Sequence, residues 1–200
     1  MNHTDSGLAH GTNGSPQNTI DNSDMANKTK ENEASVERII PGKEGVITGG
    51  KSKILGKNLM DSLGVSTQNN WSGYQAQHII PTEMRTHPVI VKIGMDFDDA
   101  SNGMFLPTPN DKVKALSKHR GYHKVYSDFV RSKLDKIDIN QSSIEIQKQV
   151  KELQYKLRKL QESGLPLYSG YSKNDSKSDN YPYRRGNTID MWERRFNALR

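Results

Sequence analysis

Apolar positions are spread unevenly along the 200-residue chain, and their spacing divides it into stretches of different character. Residues 1–35 are rich in Asn, Ser, Thr, Gly and Asp, with scattered apolar side chains such as Leu8, Ile20 and Met25. Such a stretch buries too little surface to offset its ordering entropy, so a disordered leader is expected. Residues 36–50 add a short apolar patch (Ile39, Ile40), broken by Pro41, and then a glycine-rich link, so leader and linker together are taken as residues 1–51. Ile54, Leu55, Leu59, Met60 and Leu63 then fall on one helical face, with Gly64 where a helix stops.

The densest stretch runs from residue 71 to 134. Residues 74–81 read as a strand ending at Pro81, and residues 83–93 as a short helix stopped by Gly94. Residues 96–102 form an acidic loop, and residues 103–106 a second strand ended by Pro107. Val125, Phe129, Val130 and Leu134 give helical spacing over residues 122–134. Further on, Ser142 and Glu145 make a capping box, Ile146, Val150, Leu153, Leu157 and Leu160 form a stripe, and Gly164 and Pro166 close the helix. Two heptads are too few for a coiled coil, so the stripe is expected to dock on the domain, with pairing to a second chain as the other reading. Residues 169–185 are polar and read as a loop. A last amphipathic turn carries Met191, Trp192, Phe196 and Leu199.

Composition narrows the chemistry. The chain has no cysteine, which excludes disulfides, thiolate zinc sites and a cysteine nucleophile. It has no apolar run long enough for a transmembrane helix, and residues 1–14 are polar, so no signal peptide is expected. The net charge of +6 conceals an asymmetry: residues 1–110 hold 9 Lys/Arg against 12 Asp/Glu, residues 111–200 hold 20 against 11. A basic second half suits a polyanion such as nucleic acid.

Gly45-Val46-Ile47-Thr48-Gly49-Gly50-Lys51-Ser52 fits the phosphate-loop pattern GxxxxGK[ST]. No core strand precedes it and the chain lacks repeated βα units, so the segment is read as a flexible basic linker. The acidic run Asp96, Asp98 and Asp99 lacks the spacing of a calcium loop and is assigned to loop capping. His87, before Pro88, is assigned to a helix end, and Tyr126 to the core.

Four of the six histidines lie between residues 78 and 123. His78 ends a strand, Asn102 follows in a loop beside the second strand, and His119 and His123 lie four apart at the start of a helix, where both imidazoles share one face and suit a divalent metal. The order strand, loop, strand, helix bearing His, Asn and His makes a compact metal-binding unit.

Three segments carry a resemblance: Gln75-Ala76-Gln77-His78-Ile79-Ile80-Pro81, Asp99-Ala100-Ser101-Asn102-Gly103-Met104-Phe105-Leu106-Pro107, and His119-Arg120-Gly121-Tyr122-His123-Lys124-Val125-Tyr126. Together they resemble the AHH nucleases of the HNH/endonuclease VII superfamily, over residues 55 to 134. The resemblance implies an α+β chain with a small ββα-metal core at 52–139, the disordered leader before it, and a helical basic extension at 140–200. It implies His78 as general base, Asn102 as a residue that braces the loop or approaches the metal, His123 as metal ligand and His119 as a second ligand. The family's first histidine is Gln77 here. An amide oxygen ligates a hard ion better than zinc, so Mg²⁺ is favoured over Mn²⁺ or Zn²⁺, with Gln77 binding directly, through water or not at all.

Lys118, Arg120 and Lys124 flank the metal helix and are candidates to grip phosphates. The expected activity is endonucleolytic hydrolysis of DNA, or RNA, with little sequence preference. The resemblance further implies a bacterial toxin or effector delivered by a specialised secretion system to act in a target-cell cytoplasm, and held in check by a cognate immunity protein. The competing reading is a non-catalytic nucleic-acid-binding or adaptor protein on the same scaffold.

Overall fold

A computed structural model describes residues 37–66, 71–108, 116–119, 123–167 and 189–199. The disordered leader expected at 1–35 and the loop expected at 169–185 lie outside the described residues. In chain order the elements are strand β1 (Ile47–Thr48), helix α1 (Ser52–Ser62), strand β2 (Tyr74–His78), a 3₁₀ turn (Thr82–Thr86), helix α2 (Pro88–Ile93), strand β3 (Met95–Asp96), a second 3₁₀ turn (Ala100–Asn102), strand β4 (Gly103–Pro107), and helices α3 (Lys124–Leu134), α4 (Ser143–Glu162) and α5 (Ile189–Ala198).

The centre is the antiparallel pair β2–β4, in the register Tyr74↔Pro107, Gln75↔Leu106, Ala76↔Phe105, Gln77↔Met104 and His78↔Gly103. Helix α3 follows, which completes the ββα order within an α+β chain. Helix α1 covers one side of the pair, its Leu55 and Leu59 packing on Ala76. The larger core gathers Ile79, Ile80, Leu106, Tyr126, Phe129 and Val130 with the α4 stripe and Trp192 of α5. All five stripe residues, Ile146, Val150, Leu153, Leu157 and Leu160, are buried, so the stripe docks on its own domain. Ser142 caps α4 by accepting a hydrogen bond from the Glu145 amide at 3.3 Å. The Glu145 carboxylate, for its part, pairs with Lys148.

Two boundaries differ from the expectation. Ordered structure starts before residue 52: Ile40 is fully buried in the core. The Gln147 side-chain oxygen accepts from the Ile39 and Ile40 amides at 3.0 and 3.1 Å. Arg38 donates to the carbonyls of Ile93 and Gly94 at 2.8 and 2.9 Å, where α2 ends. The Gln147 side chain of α4 thus satisfies two of this segment's amides, and the segment's own Arg38 ties it to the end of α2. Nor does the core stop at residue 139, because α4 and α5 contribute to the same cluster. The helix expected at 83–93 is broken in two at His87, where Pro88 begins α2 and the His87 ring accepts from the Val89 amide. Among the described residues no helix is long and apolar enough to cross a membrane.

Candidate metal centre and hydrolytic site

Strand β2 supplies the floor of the site. Alternation along the strand puts Gln75 and Gln77 on one face, and each meets a histidine. Gln75 Oε1 lies 2.5 Å from His119 Nδ1, and Gln77 Oε1 lies 3.0 Å from His123 Nε2. The two imidazoles lie 5.5 Å apart between ring centroids, nearly edge to face. His123 also stands edge-on to Tyr126, 5.1 Å away. On its far side the Ser127 hydroxyl is 3.4 Å from His123 Nδ1.

The two histidines converge, though not by sharing a helical face. Helix α3 begins only at Lys124, with His123 as its N-cap residue in a non-helical conformation. His119 belongs to a strap, residues 116–119, fastened to other elements: the His119 amide donates to the Pro107 carbonyl at 3.0 Å, and the Ser117 amide to the Gln161 carbonyl at 2.9 Å. Backbone pairing with the ends of β4 and α4, rather than i, i+4 spacing, brings His119 to the site.

Burial sets the charge state of these rings. The His119 pKa is lowered to about 4, first by burial and then by the neighbouring His123 and His78. The His123 pKa is also lowered, mainly by burial, against the opposing effects of its own backbone hydrogen bond and Glu83. Both imidazoles are therefore neutral at neutral pH, the form that ligates a metal.

Among the described residues no three His, Asp or Glu side chains converge to hold an ion by themselves. Beside the two imidazoles, a further protein donor in reach is Gln77, whose amide oxygen lies 3.0 Å from His123 Nε2. Its amide is 2% exposed, and its nitrogen has no hydrogen-bond partner among the described residues. Two neutral imidazoles and an amide oxygen are donors that would suit a divalent ion, the imidazoles a transition metal and the amide oxygen a harder one. Ser127 is suitably placed to hold the His123 ring from behind.

His78, at the end of β2, takes a different partner. Its Nε2 lies 3.1 Å from Asp98 Oδ1, and both residues are buried. The loop capping expected of this acidic run is carried by its neighbours, Asp96 accepting from the Asp98 amide and Asp99 from the Ser101 amide. The Asp98 carboxylate itself turns inward to the imidazole. The residues that sequence reasoning missed at this site are Asp98, Gln75 and Ser127. For Asp98 a signal existed in the acidic loop; for the other two the sequence held none.

Asn102 sits beneath the site rather than in it. It is fully buried. Its oxygen accepts from the Ile80 amide at 2.8 Å and from Gln154 Nε2 at 3.1 Å. Its nitrogen donates to the carbonyls of Ile80 and Phe97 at 3.3 and 3.2 Å. With every hydrogen-bonding position of the amide occupied, the geometry matches a brace that ties the turn after β2 to the acidic loop and to α4.

The three basic candidates separate. Lys118, a candidate to grip phosphate, lies in the strap before α3 and is buried. Lys124 is exposed at the start of α3 and forms an ion pair with Asp128 at 2.6 Å. Arg120 lies outside the described residues. His87 packs at a helix end with Asp135 at 3.0 Å, and the Tyr126 hydroxyl donates to the Ile79 carbonyl within the core; both are structural.

A family model described as a nuclease family of the HNH/ENDO VII superfamily with conserved AHH matches residues 58–163, more than half of the chain. The chain belongs to the AHH family. The AHH match takes in β2, β4, α3 and all of α4, so the helix placed in an extension by sequence lies within the family region. It also confirms the nuclease assignment and the small α+β fold. No curated protein and no solved structure matched the chain.

Proposed function

We propose that this AHH nuclease is a metal-dependent endonuclease that hydrolyses DNA phosphodiesters with little sequence preference. The observation that carries the reading is the gathering of Gln77, His119 and His123 at one edge of β2, beside His78. His119 and His123, both neutral, and the Gln77 oxygen are the residues that would hold the ion. A bound divalent ion supplies positive charge against the phosphate and the departing 3′ oxygen.

His78 acts as general base. It takes a proton from water as the water oxygen bonds to phosphorus and the bond to the 3′ oxygen breaks; the 3′ oxygen leaves with a proton from solvent. An imidazole suits this role because its ordinary pKa, about 6.5, lies near working pH. Asn102 keeps the turn that carries His78 in register with the acidic loop. A nucleic-acid substrate is supported by the basic second half of the chain, DNA being the substrate proposed, and the absence of a recognition module in the sequence favours weak sequence preference.

The decisive assay is nicking of supercoiled plasmid by the full chain. Wild-type protein should nick in Mg²⁺ and stop in EDTA, and His78→Ala should lose activity. Binding without metal-dependent cleavage would instead favour a non-catalytic adaptor on the same scaffold. Cleavage that survives His78→Ala would mean a different base. As part of the same reading we assign the protein a toxic effector role, restrained by an acidic immunity partner. Expression in a bacterial cytoplasm should then arrest growth, and His123→Ala should relieve the arrest; harmless wild-type expression would refute the toxin role.

A further inference from the structure

The glycine loop that resembles a phosphate loop already holds an anion, and the anion is internal. Gly50 and Lys51 both donate their backbone N–H to Asp98 Oδ1 at 2.8 Å, directly before α1 begins at Ser52. Gly49 and Gly50 adopt φ of +74° and +110°, which aims successive amides at one point. A Cβ on Gly49 would lie 2.6 Å from Asp96 Oδ1, 2.7 Å from the Asp98 amide and 2.9 Å from Asp98 Cγ, so only glycine lets the loop approach the carboxylate this closely. Asn58 of α1 donates to the Asp98 carbonyl at 2.7 Å and pins the backbone from the other side. The loop motif thus has a use that involves no nucleotide.

The same oxygen that receives the two loop amides lies 3.1 Å from His78 Nε2. An ionised carboxylate only accepts hydrogen bonds, so the nitrogen facing it must carry the proton. We propose that Asp98, cradled by the glycine loop, is the positioning residue of this site, fixing His78 with Nε2–H toward the carboxylate and Nδ1 as the basic nitrogen. The proposal rests on the nuclease reading for its consequence, since a wrongly protonated ring cannot take a proton from the attacking water. Its geometric half, the tautomer, stands independently of any activity.

Two measurements test it on the full chain. Long-range ¹H–¹⁵N correlation on histidine-labelled protein, with the His78 signals identified by their loss in His78→Ala, should show a protonated Nε2 and an unprotonated Nδ1. Asp98→Ala should abolish that preference and lower kcat by about 10²- to 10⁴-fold with KM little changed, as expected when an imidazole is held in the wrong tautomer. Asp98→Asn keeps an oxygen for the two loop amides and so should preserve the fold, but its amide can present N–H to the ring. It should weaken the Nε2–H preference and lower kcat by up to about 10⁴-fold, a loss that a merely stabilising role does not predict. A wild-type His78 protonated at Nδ1 overturns the proposal even if Asp98→Ala fails to fold. A folded Asp98→Ala protein with wild-type kcat overturns it as well. Wild-type protein that cleaves no nucleic acid with any divalent metal overturns the nuclease reading instead, leaving the tautomer to be decided by the spectra.

Discussion

Asn102→Ala removes the four hydrogen bonds of a fully buried amide in a single step. Two of the partners left behind are buried donors, the Ile80 amide and Gln154 Nε2, and a donor without an acceptor is the costlier kind of orphan. Each unsatisfied buried group costs about 1–3 kcal/mol, so the two donors alone imply about 2–6 kcal/mol of lost stability. The two stranded carbonyls and the small cavity add to this. Against a typical total of about 5–15 kcal/mol, the variant should be close to unfolding. Urea denaturation followed by circular dichroism should show the midpoint falling sharply with the slope unchanged. A loss below about 1 kcal/mol would refute the brace and reopen a direct role for this amide near the metal.

Further predictions concern the histidines, the amide ligand and one glycine. His119 has a folded pKa of about 4 against an ordinary 6.5, so the unfolded chain binds the proton more readily between those values. Metal-free protein should therefore lose stability as pH falls from about 6.5 toward 4, by up to about 3 kcal/mol from this ring; chemical denaturation in EDTA across that range checks it, and a flat profile would contradict the burial argument. Gln77→His restores the family's imidazole and should shift metal preference toward Zn²⁺, read by competition against a chelator, whereas unchanged selectivity would show that residue 77 does not ligate. Gly94 ends α2 at φ +63°, and a Cβ there would lie 1.8 Å from the Lys43 carbonyl oxygen. Since backbone cannot swing aside, Gly94→Ala should cost at least about 2 kcal/mol in thermal unfolding.

Where neighbouring residues set the structure, the sequence was informative. β2 and β4 announce themselves through short apolar runs closed by Pro81 and Pro107, and the α4 stripe through its spacing and its Ser142 cap. His78, Asn102, His119 and His123 stand out in the sequence as an ordered set, but their placement does not: Asn102 lies beneath the site as a brace. His119 reaches the site because its amide pairs with Pro107, which no periodicity records. Residues 37–51 looked like linker because their partners, Gln147 among them, lie up to 108 residues further along the chain. The glycine loop fits a phosphate-loop pattern but reads as a flexible linker in the sequence, because the anion it holds, Asp98, lies 47 residues beyond Lys51. Contacts of that range are fixed by packing, and a single sequence does not encode them as a local pattern.

The central claim is that β2 and the approach to α3 form one metal-dependent hydrolytic centre. A crystal soaked in Mn²⁺, with data collected near the manganese edge, tests it most directly. One anomalous peak is expected in contact with His123 Nε2, His119 and the Gln77 oxygen, beside His78. A well-occupied peak elsewhere with none at these side chains would contradict it.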